Sequence, residues 1–208
     1  MLAGDRDNTF TGLTEVIGNG TILTLNKANG VRAIQGDIFI GDGGQLALWG
    51  NQQIAARSTV TLRNSKFQFA DYRYEAGPVK IEAFHQLVIE GESTLQFRSL
   101  ETTLDQRFLY LDDLLVADGA KLIVRGWKEG IHWLLVKKTS ANIEDALKKI
   151  EFVGNPSGQT HKEDYNGEYW AISGTPEPAV YGAIFASGAL GLALWRRQRS
   201  YVAAKSSP

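Results

Sequence analysis

Asp112 and Asp113 stand side by side, with Asp105 close by in sequence, and are the carboxylates best spaced to do chemistry. Hydrolysis of a glycosidic bond needs two carboxyl groups held a fixed distance apart. Neighbours in a strand point to opposite faces, so this pair converges only where a turn bends the chain between them. Carboxylates flanking a strand otherwise do no more than solvate a turn. The histidines offer less. His85, His132 and His161 are far apart, which leaves little material for a zinc site. His85, beside an apolar run at 87–89, has no obvious acid or nucleophile partner and reads as a surface histidine. His132 lies between Trp127 and Trp133, where a packed aromatic cluster is the simpler reading. Tyr72, Tyr74 and Phe84 are placed either to stack on a carbohydrate or, near chain turns, to cover the core. No phosphate loop, nucleophile elbow or metal-binding histidine pair is present. No catalytic, cofactor-binding or metal-ligating residue is therefore assigned, and no cofactor is expected.

The elements that must position these residues follow from composition and pattern. A chain of 208 residues suits one domain, or one domain with an appendage. Hydrophobic residues at 43% and charged residues at 22% exclude wholesale disorder. A formal net charge of −1 argues against nucleic acid as a partner, which would call for a basic excess. Cysteine is absent, so there is no disulfide framework and no thiolate metal site. That fits a cytosolic protein and an exported bacterial one equally.

Most of the chain alternates apolar and polar residues with period two, the pattern of half-buried strands. The strands come in doublets: TEVIGNGTILTLNK, DIFIGDGGQLALWG, STVTLRNSKFQFAD, QLVIEGESTLQFRS and DLLVADGAKLIVRG. Their first strands are marked by Thr14, Ile38, Val60, Leu87 and Leu114, which recur at near-regular intervals. A repeat whose period falls in the range of roughly 20–50 residues, as this one does, marks a solenoid or an array. Two short strands cannot bury their own apolar face, and stacking the units into one continuous core solves the problem. A parallel β-helix does this. Five hairpins in an antiparallel β-sandwich would use the same turns, since Gly-Asp-Gly suits tight reversals. Pattern alone leaves both open.

After residue 127 the pattern changes. The spacing predicts a strand at 133–136, one short helix capped by Asn142, a strand at 150–153, a polar loop at 155–166, and a last strand in GEYWAIS. Glu144 and Asp145 in the first turn, and Lys148 and Lys149 in the last, suit the helix dipole. Residues 128–174 read as a small α/β cap on the open end of a solenoid formed by 1–127. Residues 179–195 then carry no charge and are slightly shorter than the ~20 residues a bilayer span requires. Arg196, Arg197 and Arg199 follow, which places the tail 200–208 on the cytoplasmic side by the positive-inside tendency. Ala183, Ser187 and Gly191 form a small-residue face for close helix packing. The alternative is a buried core helix; against it, the run is apolar all round.

Pro176-Glu177-Pro178, the apolar run and the arginine cluster together resemble the PEP-CTERM sorting signal of Gram-negative bacteria. The resemblance covers 175–199 and implies recognition by an exosortase, a membrane-embedded protease that cuts near Pro-Glu-Pro. The tail 200–208 departs from it, since such signals usually stop soon after the arginines. Residues 8–70, with Asn8 to Gly12 as NTFTG and a Thr-Leu strand at 21–25, resemble the autotransporter-associated β-strand repeat, more loosely as far as 124. That family implies the parallel β-helix, and it favours the solenoid over the sandwich. GDGGQLAL is similar to one unit of a calcium-binding nonapeptide repeat, but no second copy stands beside it to share an ion. A sorting signal needs export, and MLAGDRDNTFTG shows no basic-then-apolar secretory segment. The expectation is the C-terminal part of a longer protein, exported, held transiently in the inner membrane, then placed at the cell surface or outside the cell. The expected role is structural or adhesive, with extracellular polysaccharide as a candidate partner and no catalysis of its own. The alternative is a β-helix polysaccharide lyase or hydrolase whose catalytic turns lie upstream.

Overall fold

The computed structural model describes residues 1–69, 79–98, 106–154 and 159–174. Alternating side chains build short strands here because each strand has one dry face and one wet face. In chain order these are β1 (Leu2–Gly4), β2 (Thr14–Ile17), β3 (Ile22–Lys27), β4 (Ile38–Gly41), β5 (Gln45–Leu48), β6 (Thr59–Arg63), β7 (Lys66–Phe69) and β8 (Lys80–Ile89). Then come β9 (Glu92–Phe97), β10 (Arg107–Val116), β11 (Lys121–Arg125), β12 (His132–Lys137), the helix α1 (Ile143–Leu147), β13 (Ile150–Phe152), β14 (His161–Tyr165) and β15 (Tyr169–Ser173).

The two strands of a doublet never pair with each other. One sheet runs β1-β3-β5-β7-β9-β11-β13 and the other β14-β15-β12-β10-β8-β6-β4-β2. Each doublet is thus one turn, or rung, of a parallel β-solenoid, and the antiparallel sandwich is excluded. Antiparallel pairing among the described residues is confined to β12–β15 and β14–β15. The repeat spacing is also the pairing register: Thr14 opposes Ile38, Ile38 opposes Val60, Val60 opposes Leu87, and Leu87 opposes Leu114. The glycine turns form as expected but serve as corners. At 41–44, Asp42 and Gly43 both have positive φ, and the Gly44 N–H donates to the Gly41 carbonyl at 2.9 Å. That is the geometry of a tight hairpin turn. Here it sends β4 and β5 into different sheets, because each strand finds its partner in the next rung.

The core lies between the sheets. Ile40, Leu46, Leu62, Phe67, Leu87, Leu95, Leu114 and Leu122 are among its fully buried members. Each contributes about 1.5–3 kcal/mol by burial, and their removal would open one continuous column. Toward its C-terminal end the column becomes aromatic, with Phe69 edge-on to Phe97 at 6.2 Å and Phe97 stacked on His132 at 5.0 Å.

The segment expected as a cap opens as another rung, with β12 on β10 and β13 on β11. The hairpin β14–β15 closes the end of the second sheet. β14 lies inside the stretch expected as a loop; its all-polar HKEDY carries no apolar alternation to announce it. The helix differs from expectation as well. Asn142 sits at the N-cap position but makes no side-chain cap bond, and the helix ends at Leu147 with Lys148 as C-cap, so its last turn holds no lysine.

Candidate functional site

β8 and β10 are ten residues long because each runs through a corner of the solenoid. In β8 the buried positions Lys80, Glu82 and Phe84 give way to Leu87 and Ile89; in β10 Arg107, Leu109 and Leu111 give way to Leu114 and Val116. The phase reverses at His85–Gln86 and at Asp112–Asp113, so both aspartates are partly exposed on the same bend. The turn needed to bring the pair together is present. Its neighbours then pull the two carboxylates apart.

Asp112 joins a file across three strands: His85 Nδ1 lies 3.2 Å from its Oδ2 and Lys137 Nζ 2.7 Å from its Oδ1. The expectation that His85 lacks an acid partner is therefore corrected; the partner lies 27 residues on, one repeat away. Partial burial works against the charge on Asp112, but the bonds from Lys137 and His85 outweigh it and hold the carboxyl below its ordinary value. Asp113 faces the other way. It accepts from Gln86 Nε2 at 2.8 Å, from Asn142 Nδ2 at 2.8 Å, and from the Ser140 hydroxyl. Those bonds, working against burial, hold it low too. A glycosidase acid must keep its proton at working pH; both of these carboxyls are held ionised. They lock rungs together. Asp105 lies outside the described residues.

His132 is fully buried and stacks on Phe97, with Trp127 edge-on at 6.2 Å, and its Nδ1 accepts from the Lys128 backbone N–H at 3.0 Å. Burial first, then the charges of Arg107 and Lys128, push it down to about 4, so it is neutral at physiological pH. The expected aromatic cluster exists with one correction. Its members are Phe97, Trp127 and Phe152, whereas Trp133 points outward and stacks on Phe108. Phe84, considered for carbohydrate stacking, is buried against Phe67; Tyr72 and Tyr74 lie outside the described residues. The outward aromatic cluster is elsewhere, on Phe108, Tyr110, Trp133, Tyr165 and Tyr169.

A carboxylate that sequence reasoning missed is Glu82, which is completely buried. Between β5 and β6 the described chain forms no strand, so its N–H groups need other acceptors. Glu82, one rung on, accepts from the backbone N–H of Gln53 at 2.8 Å and of Ile54 at 3.0 Å, while the Gln53 side-chain oxygen accepts from the Lys27 N–H at 2.7 Å. Burial pushes Glu82 up to about 8, against the downward pull of the backbone bonds. It is a side chain standing in for a missing strand.

Among the described residues no group of three or more His, Asp or Glu gathers in a way that could hold a metal ion. No described helix is long and apolar enough to cross a membrane; Pro176, Glu177, Pro178, the run 179–195 and Arg196, Arg197 and Arg199 lie outside the described residues. Comparison of the chain with protein-family models, with curated proteins and with solved structures finds no match in any of the three.

Proposed function

We propose that the chain is an exported scaffold, sorted to the cell envelope by its C-terminal segment and released or reattached there in a structural or adhesive role. The observation that carries the reading is the order in the sequence from Pro176 to Arg199: Pro-Glu-Pro, an uncharged run, then arginines, following the last strand of the solenoid in the chain. The solenoid supports the role physically. Parallel pairing along two sheets ties each rung to the next, and the corner carboxylates are engaged in joining the rungs. An exosortase is the partner for the tail, and the inner membrane is a stage on the way.

The test is the C-terminal mass of the mature protein from fractionated cells of its producer. A terminus near residues 175–178 is expected, and replacing Pro176-Glu177-Pro178 by alanines should abolish it. A mature chain that still carries Arg196 to Pro208 overturns sorting and makes the run a permanent anchor. Release of reducing ends from polysaccharides by the purified protein overturns the non-catalytic role.

A further inference from the structure

We propose that the outer face of β10, β12, β14 and β15 is a binding platform for a neutral polysaccharide. The inference gives the adhesive role above a ligand class and rests on that reading for its biological setting, though not on the sorting of the tail. It begins with two side chains in the wrong place for a soluble surface. Leu135 is fully buried and Ala171 nearly so, yet neither belongs to the central core, which takes their strand neighbours Leu134, Val136 and Ile172. Strand alternation puts them on the outside, where they oppose each other across β12 and β15. A second, thin apolar layer therefore lies on the outer surface.

Aromatic rings surround it. Phe108 lies parallel to Trp133 within 5° at 6.0 Å, and to Tyr110 within 16° at 6.2 Å. Tyr165 leans on Trp133 at 5.3 Å, and Tyr169 meets Tyr110 edge-on at 5.2 Å. All five are half-buried. Tyr110 stands in register beside Leu135, and Tyr169 is two residues from Ala171 on the same face of β15, so the rings cover the apolar layer while each stays partly exposed. Phe108, Tyr110 and Trp133 are near-parallel, while Tyr165 and Tyr169 are inclined to them and bring tyrosine hydroxyls to the patch. Apolar rings with hydroxyls beside them suit a pyranose, which offers C–H bonds on its face and hydroxyls around its rim. Tyrosine and tryptophan supply this contact at little entropic cost.

The polar edge selects the kind of glycan. Lys137 pairs in register with Tyr169 and extends the Asp112–His85 file along one side of the rings. Lysine and aspartate neutralise one another there, and Glu163 opposes Ala171 from β14. Among the described residues of this face no positive excess is available to attract uronate or sulfate groups, so charge complementarity favours an uncharged chain.

Cross-strand aromatic packing alone would stabilise the fold without binding anything. The experiment separates the two roles. The full chain, held in a polyoxyethylene detergent, is run on native gels cast with xyloglucan, galactomannan, mixed-linkage β-glucan or dextran, and with polygalacturonate as the acidic comparison. Retardation by at least one neutral polymer is expected. Trp133→Ala and Tyr169→Ala should each weaken it about tenfold, with circular dichroism unchanged. Tyr110→Phe, which removes only a hydroxyl, should weaken it less and keeps the test valid if Trp133→Ala misfolds. Phe39→Ala, an outward ring in an earlier rung under the Arg63 guanidinium at 5.0 Å, should leave binding intact. Failure to be retarded by any neutral polymer, retardation by polygalacturonate alone, or binding that survives the Trp133, Tyr169 and Tyr110 changes overturns the platform. So does a change in sedimentation on Trp133→Ala, which would make this face a contact with a second copy. None of these outcomes touches the C-terminal mass, so the platform and the sorting can fail separately.

Discussion

Replacing Glu82 by glutamine should flatten the alkaline side of the protein's stability profile. The folded carboxyl keeps its proton to about pH 8, whereas in the unfolded chain it ionises near 4.5. Its folded value is raised, so its contribution is fully present below pH 4.5 and is lost as pH climbs through 8. One proton of difference changes stability by about 1.4 kcal/mol per pH unit, so the loss between pH 6.5 and 8 is about 2 kcal/mol. His132 works in the opposite sense. Its folded value is depressed to about 4, so its contribution is present above 6.5 and is lost as pH falls toward 4. Between 4.5 and 6.5 the two effects oppose each other, and the native protein should be most stable there. Urea midpoints from pH 4 to 9, read by tryptophan fluorescence, give the profile. Glu82→Gln still accepts one backbone N–H but turns an amide toward the other, which should lower stability at every pH by about 1–3 kcal/mol. The decisive quantity is the slope above pH 6.5. A variant that loses stability with pH as steeply as the parent would refute the assignment of that proton to Glu82.

Two further outcomes follow from the geometry. A Cβ at Gly126 would stand 2.1 Å from the Phe97 carbonyl oxygen on a backbone with φ of +67°, so Gly126→Ala should lower stability by at least about 2 kcal/mol in a thermal melt. Asp113→Ala strips the partners from Gln86, Ser140 and Asn142 and should lose about 1–3 kcal/mol in urea. Asp112→Ala breaks only exposed pairs and should lose under about 1 kcal/mol; equal losses at the two positions would show that their partners do not distinguish them.

Much of the site was present in the repeat period without being recognised there. His85 and Asp112 are one period apart, as are Gln86 and Asp113, and Leu87 and Leu114 beside them share that spacing and pair across the same two strands. Residues one period apart in a parallel solenoid are neighbours, so these contacts follow once the architecture is settled. The second strand of that rung obeys a longer count. Leu95 opposes Val124 because Ala117, Asp118, Gly119 and Ala120 link β10 to β11, where only Glu90 and Gly91 link β8 to β9. A shift by an even number keeps the same side chains inward, which is why the core survives it. Glu82 had no such signal. Its role depends on which backbone N–H groups of the preceding rung lack a strand partner, and no spacing in the sequence reports that.

The order of residues was enough for the doublets, their recurrence and the apolar side chains that face inward along them, because alternation and repeat spacing are both written in it, but not for β14 or for the long first halves of β8 and β10. It also determined the tail as a segment unlike the rest. Tertiary structure decided what the corners do. A turn able to make a hairpin became a bend between sheets, because the open edge of the next rung offered each strand a partner that its doublet mate did not. The same stacking parted Asp112 from Asp113, buried His132 and Glu82, and gathered five aromatic rings from four strands onto one outer face, since neighbours across rungs are set by pairing and not by distance along the chain.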